Sequence, residues 1–205
     1  MVRISLSAVA AVLLMGAADA GPREDCATPV SQCFPGCDAD QAAKIARVVE
    51  ACTEVLRSVP NDPVLGQLLR LDNVYLRRGI AYAAARKFEQ AITDYTRAIE
   101  INSGNAFAYV NRGTAHAIIG AGLAAAADRA LSDYTKAIEI DPMFAEAYYR
   151  RAWQHFGAGN EDLARRDIAR AVAIDPRYVD IIKNEYLFPE EYLPKDNRPP
   201  AGEAK

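Results

Sequence analysis

Histidine is scarce in this chain, and cysteine is confined to its start. His116 and His155 are the two histidines, while Cys26, Cys33, Cys37 and Cys52 are the four cysteines. Two imidazoles give little material for a nucleophile-base pair or a histidine-rich metal site. The sequence also lacks a Walker phosphate loop, a His-Glu-x-x-His helix and any cysteine-histidine metal spacing, so neither catalysis, a metal nor a cofactor is called for. It has no basic block either: 24 basic residues against 27 acidic ones leave a net charge of -3. Without a positive stripe to track phosphates, nucleic acid is not an expected ligand. Long apolar runs are missing as well. The longest, Ala8 to Met15, falls short of the roughly 20 residues that span a bilayer.

That short run has a meaning of its own. It follows Arg3 and precedes Ala18 and Ala20 with Asp19 between them, the pattern of a secretory signal (residues 1–20) with an Ala-x-Ala cleavage site after Ala20. The mature chain then starts at Gly21 and is an exported, bacterial-type protein, periplasmic or secreted, with no membrane insertion. Cys26 lies six residues beyond Ala20, so no lipid anchor is indicated at the cut.

Export puts the four thiols of the cysteine-rich segment 21–39 and the helix after it in an oxidising compartment, where two disulfides are the default. Four cysteines allow three connectivities. The preferred pairing is Cys26 with Cys33 and Cys37 with Cys52, because the second bridge ties the leading loop to the first helix. Such a closure stabilises by on the order of 3 kcal/mol in the chain-entropy picture. No Cys-x-x-Cys occurs, which argues against a zinc site, a thioredoxin-like pair and haem attachment.

Half of the residues are apolar (51%), enough to bury a core, and they are arranged in repeats. The fragments AITDYTRAIEIN and ALSDYTKAIEIDP are two versions of one helix, with Ala91, Ile92, Tyr95, Ala98 and Ile99 on one face. VYLRRGIAYA, AYVNRGTAHA and AYYRRAWQHF precede the second helices at matching distances, so each unit is a helix pair. The chain resembles the tetratricopeptide repeat family, whose unit is about 34 residues. The copies run over residues 72–105, 106–144 with an insertion near Gly120 to Ala127, and 145–178. In the first copy Tyr75, Gly79, Tyr82, Ala91, Tyr95 and Ala98 stand at the family's places, with Ser103 where a proline is usual; Pro142 and Pro176 close the other two. The resemblance implies an all-α, right-handed superhelical solenoid of antiparallel helix pairs. Small residues at Gly79, Gly113 and Ala152, facing Ala91, Ala130 and Ala164, would let paired axes approach to roughly 8–10 Å. Arg78, Arg112 and Arg151 replace the aliphatic residue the family has before its glycine; they read as structural, with stems that cover apolar surface.

His116 and His155 both fall where the first copy has Tyr82, so they read as packing residues and not as bases. Gly120, Gly122 and Ala125 imitate a dinucleotide fingerprint, but a helix precedes them where a strand is needed, and they read as a lengthened turn. Upstream, residues 40–71 carry an apolar stripe of Ile45, Val48, Val49, Cys52, Val55 and Leu56 and read as a capping, degenerate repeat, opened by a capping box at Asp38 and Gln41. Downstream, 179–188 reads as a second cap. The proline-rich stretch 189–205 reads as a mobile tail.

The family's first helices line a concave groove that holds a partner's peptide. Carried over, the groove residues are Arg77, Phe107, Asn111, Tyr149, Arg150 and Trp153, with Ile80, Val110, Thr114, Glu146 and Phe156 beside them. The set that clamps a terminal carboxylate in the chaperone-binding members is only partly present: Asn111 and Arg150 match, whereas Leu76 and Ile80 replace a lysine and an asparagine and Glu146 reverses a charge. Tyr149, Trp153 and Phe156 share one helix face, either as an aromatic binding surface or as packing for the cap. The expected function is a non-catalytic adaptor that binds a protein or peptide. The alternative is a thiol-disulfide protein that uses its repeats to select substrates, and self-association stays open.

Overall fold

The computed structural model describes residues 26, 39–59, 70–185, 188, 192 and 193. The signal-like stretch, Cys33, Cys37, Asp38 and residues 194–205 lie outside the described residues. Among those described, every regular element is helical: α1 (Ala39–Ser58), α2 (Leu71–Ala84), α3 (Phe88–Ile101), α4 (Ala106–Ile119), α5 (Ala124–Ile140), α6 (Ala145–Gly157), α7 (Glu161–Ile174) and α8 (Arg177–Glu185). Each helix packs on its sequence neighbours, and the first helices of successive hairpins also touch, α2 with α4 and α4 with α6. The result is a solenoid of the hairpins α2/α3, α4/α5 and α6/α7.

Local chemistry sets the helix ends. Asn105 caps α4, its side chain accepting from the Ala108 amide at 3.1 Å. The same asparagine and Asn102 donate to the buried Asp72 carboxylate at 3.1 and 2.9 Å, which ties the turn after α3 back to the start of α2. The insertion lengthens the second helix of its hairpin: α5 has 17 residues, where α3 and α7 have 14.

Close approach depends on residues with little side chain. Ala91, Ala98, Ala130, Ala137, Ala152, Ala164 and Ala171 are fully buried, and Tyr95 and Tyr134 are 1% exposed beside them. Tyr95 fills the space that Gly79 leaves open; a Cβ added to that glycine would sit 2.6 Å from Tyr95 Cε1.

The arginine that precedes Gly79, Gly113 and Ala152 is structural, and it recurs with equivalent partners. Arg78 donates to Asp94 through Nε and Nη2, both at 2.7 Å, and through Nη1 to Thr53 Oγ1 at 3.1 Å. Arg112 does the same with Asp133 at 3.0 and 2.7 Å and with Thr96 at 3.3 Å. Arg151 repeats it with Asp167, at 2.8 Å twice, and Thr135 at 3.3 Å. The aspartate belongs to the arginine's own hairpin and the threonine to the helix before it. A tyrosine one turn earlier supplies a ring face to each guanidinium: Tyr75, Tyr109 and Tyr148 at 5.6, 5.5 and 5.7 Å.

The cysteines correct the sequence reading. The bond joins Cys26 to Cys52, so neither Cys26 with Cys33 nor Cys37 with Cys52 is the pairing adopted. The physical reason is tertiary. Cys52 stands on α1 at the place that Tyr95 and Tyr134 hold on α3 and α5, fully buried, and Cys26 packs onto it in one cluster with Ile45, Val48, Ala51, Ala81 and Ala84. The leading segment is tied to the first helix, as expected, but through Cys26: the sulfur at the core position of α1 bonds to the cysteine that packs onto it.

A second correction concerns the tail. Tyr192 and Leu193, assigned by composition to a mobile segment, are packed: Tyr192 is 2% exposed and joins Phe188 in the cluster over α6 and α7. Burial of these side chains offsets the entropy of ordering them.

Alanine is the better helix former by about 1 kcal/mol, so Gly79→Ala would stabilise an isolated helix. Against the buried Tyr95 ring it should instead cost about 1–3 kcal/mol by overpacking. Chemical denaturation of the single variant measures this, and a gain in stability would show that the helices are not in such close contact.

Candidate functional site

The first helices present one face together. At matching places stand Leu76, Ile80 and Ala83 on α2, Val110, Thr114 and Ala117 on α4, and Tyr149, Trp153 and Phe156 on α6. Between α2 and α4 this face opens into a cavity of about 220 Å³, lined by Ile80, Ala83, Phe88, Asn111, Thr114 and Ile118 among others, with Arg86 and Arg150 at its polar side.

Two cations give the cavity its charge. Arg150 donates to Glu146 Oε1 at 3.1 Å. Burial opposes its charge, but the Glu146 carboxylate outweighs that and raises its pKa, so it stays a cation. Arg86 occupies the turn between α2 and α3 with φ 60°, where the matching turn of the third hairpin has Gly159 at φ 75°. A non-glycine residue in the left-handed region costs on the order of 1 kcal/mol. The chain tolerates that cost at a position that places a guanidinium on the cavity wall.

The six groove residues read from the sequence separate in the structure. Asn111 and Arg150 line the cavity. Asn111 turns its amide to the Phe107 carbonyl, donating at 2.8 Å. Phe107 is exposed and its ring lies 4.6 Å from that of Phe144, while Arg77 is exposed on α2; neither lines the cavity. Tyr149 is buried and Trp153 half-buried. Tyr149 is 5% exposed against Tyr178, at 5.2 Å between ring centroids, and Trp153 lies 5.6 Å from Phe188. The sequence reading missed Arg86, Phe88 and Ile118. Arg86 had a readable signal, since it stands where another copy has glycine.

His116 and His155 sit on α4 and α6 next to the ion pairs. Burial lowers the pKa of both; Asp133 and Asp167 pull them upward, while Arg112 and Arg129 depress His116 and Arg151 depresses His155. His155 Nδ1 is buried with no hydrogen-bond partner among the described residues. Within the same residues no group of three or more His, Cys, Asp and Glu could hold a metal ion, and no helix is long and apolar enough to cross a membrane.

Comparison with known proteins agrees with this architecture. Residues 73–105 match the family profile described as tetratricopeptide repeat. The fold is similar to the TPR domain of Arabidopsis OM64, at 26% identity and TM-score 0.50, over 56% of this chain and 92% of that one. It is similar to MamA at 19% identity and TM-score 0.56, over 75% and 84% of the two chains. It is also similar to YrrB, described as a TPR protein with an unusual peptide-binding site, at 19% identity and TM-score 0.55, over 70% and 67%. No curated protein matches the chain.

A depressed histidine pKa means the folded state binds fewer protons than the unfolded one. Its stabilising contribution is complete above the ordinary value of 6.5 and is lost as the pH falls through the lower folded values. Replacing both residues by the tyrosine found in the first copy, His116→Tyr with His155→Tyr, should therefore reduce the drop in melting temperature between about pH 7 and about pH 5. Equal drops in both proteins would mean that the histidines do not carry the acid sensitivity.

Proposed function

We propose that the chain is a non-catalytic interaction module that holds a segment of a partner protein on the concave face of its hairpins. The observation that carries this reading is the open cavity between α2 and α4. Its lining combines apolar Ile80, Ala83, Phe88 and Ile118 with the polar Asn111, Thr114, Arg86 and Arg150. That mixture of apolar surface and a few placed polar groups is how pockets gain both affinity and orientation. YrrB, of the same fold, is described as having a peptide-binding site, which supports the assignment of a peptide to the face formed here.

The partner acts in the periplasm or outside the cell. The support for that location is the signal-like start, with Arg3, the run Ala8 to Met15 and Ala18-Asp19-Ala20, together with the Cys26–Cys52 bond, since disulfides persist in oxidising compartments. The same bond weighs against a chemical role for this pair of cysteines in a thiol-disulfide protein. Cys52 is fully buried and Cys26 is 3% exposed, and a sulfur that no thiolate can reach does not exchange.

The test is capture of partners from periplasmic extract by the mature protein and two variants. Ile118 is exposed and lines the cavity, so Ile118→Glu should leave folding intact and abolish capture. Arg86→Gly relieves the left-handed strain and should hold or raise the melting temperature by a few degrees while weakening capture. Partners retained by both variants would move the binding surface elsewhere.

A further inference from the structure

The strip of side chains that forms the cavity continues onto α6, but there it is already occupied. Tyr149, Trp153 and Phe156 hold the places of Leu76, Ile80 and Ala83 on α2 and of Val110, Thr114 and Ala117 on α4. Lying on them are two residues from beyond α8. Phe188 sets its ring 6.2 Å from Tyr149, 5.6 Å from Trp153 and 5.3 Å from Phe156, and is 6% exposed. Tyr192 meets Phe156 edge-on at 5.8 Å, stacks under the Arg165 guanidinium of α7 at 4.8 Å, and is 2% exposed.

Neither residue belongs to the helical repeat. The cap that a solenoid end requires is supplied by α8, whose Ile182 is 1% exposed and whose Tyr178 covers Tyr149. Phe188 and Tyr192 are additional, and they seat on the same register positions that leave the groove open between α2 and α4.

We infer that the α6 part of the groove is a binding surface for a segment carrying two aromatic side chains four residues apart, and that Phe188 and Tyr192 occupy it in cis as a displaceable stand-in. The chemistry that recognises such a segment is on the page. Three aromatic rings on one helix face form the seat, edge-to-face and tilted ring contacts fix the first aromatic, and a cation over the ring fixes the second. In sequence, Glu190 and Glu191 lie between the two aromatics, while Arg165 and Arg166 are exposed on α7. The favoured partner segment is thus aromatic and acidic. An intramolecular occupant lowers the apparent affinity of any partner in proportion to the fraction of time it is bound. The full-length chain should therefore bind such a partner more weakly than a chain whose own aromatics are removed.

This inference rests on the groove being the binding surface, yet its test needs no unknown partner. The chain's single tryptophan, Trp153, lies against Phe188 and reports on the site directly. The probe is a synthetic peptide of residues 186–194, added to full-length protein and to the Phe188→Ala, Tyr192→Ala double variant, with Trp153 emission and its quenching by acrylamide as readouts. The variant should keep its helical circular dichroism and show stronger quenching. It should bind the peptide with a restored emission signal at least about tenfold more tightly than wild type, and should ignore the same peptide with both aromatics changed to alanine. A folded variant that fails to bind the peptide, or wild type that binds it equally well, overturns the proposal. Loss of the helical fold in the variant also overturns it, because Phe188 and Tyr192 would then be permanent core. None of these failures bears on the cavity between α2 and α4, which the Ile118→Glu variant tests by itself.

Discussion

A guanidinium that grips an aspartate across one hairpin and a threonine on the helix before it is the contact on which this solenoid depends. Small side chains allow the helices to approach, but alanine and glycine faces have little shape to prevent sliding. A planar donor fork facing a planar carboxylate does prevent it, because both bonds are short only in one register. Arg78, Arg112 and Arg151 each make that forked contact with Asp94, Asp133 and Asp167, whose side chains are less than 10% exposed. The third donor reaches Thr53, Thr96 and Thr135 and so joins each hairpin to the preceding helix. Half-buried charge of this kind adds less to stability than to uniqueness of arrangement, as the desolvation of both ions offsets much of their attraction.

The ladder stops where its residues stop, and each end of the solenoid then uses different chemistry. On α1 the threonine is present as Thr53, but Ala51 stands where an aspartate would be; on α7 Asp167 is present, but Ala169 replaces the threonine. At the first end a disulfide takes over, with Cys52 in the place of the core tyrosine and Cys26 laid against it. At the other end the cluster is aromatic, built from Tyr149, Trp153, Phe156, Phe188 and Tyr192. Among the described residues, what remains open lies between, at α2 and α4, where the first-helix side chains are smaller and a cavity forms. Among the described residues, the position of the candidate site thus follows from where bulky side chains and covering segments are absent.

Much of this could be read from the sequence because it repeats. The Asp-Tyr-Thr triplet occurs as Asp94-Tyr95-Thr96 and again as Asp133-Tyr134-Thr135, and an arginine stands before both Gly79 and Gly113. Helix pairing and the solenoid were legible for that reason, and so was the structural character of the arginines; their partners were not identified, since a residue's contact across helices depends on crossing geometry. The features that did not repeat were harder. The Cys26–Cys52 bond involves a segment with no counterpart in the other units. The burial of Tyr192 runs against a proline-rich composition, which registers average hydrophobicity and not two well-placed rings. Of the groove residues, Asn111 and Arg150 follow from register alone, whereas the covering of Tyr149 and Trp153 depends on where the chain goes after α8.

The most direct measurement is a double-mutant cycle on Arg112 and Asp133 in the central hairpin, using Arg112→Met, Asp133→Leu and the pair together, with stability from urea denaturation. If the forked contact sets the register, each single change should cost on the order of 2–3 kcal/mol, because it strands the other charge in a half-buried site. The double variant should then recover at least about 1 kcal/mol relative to the sum of the two. A coupling within about 0.3 kcal/mol of zero would contradict the account: the hairpins would then be held by their alanine and tyrosine packing alone, and the arginines would be ornaments on a fold set without them.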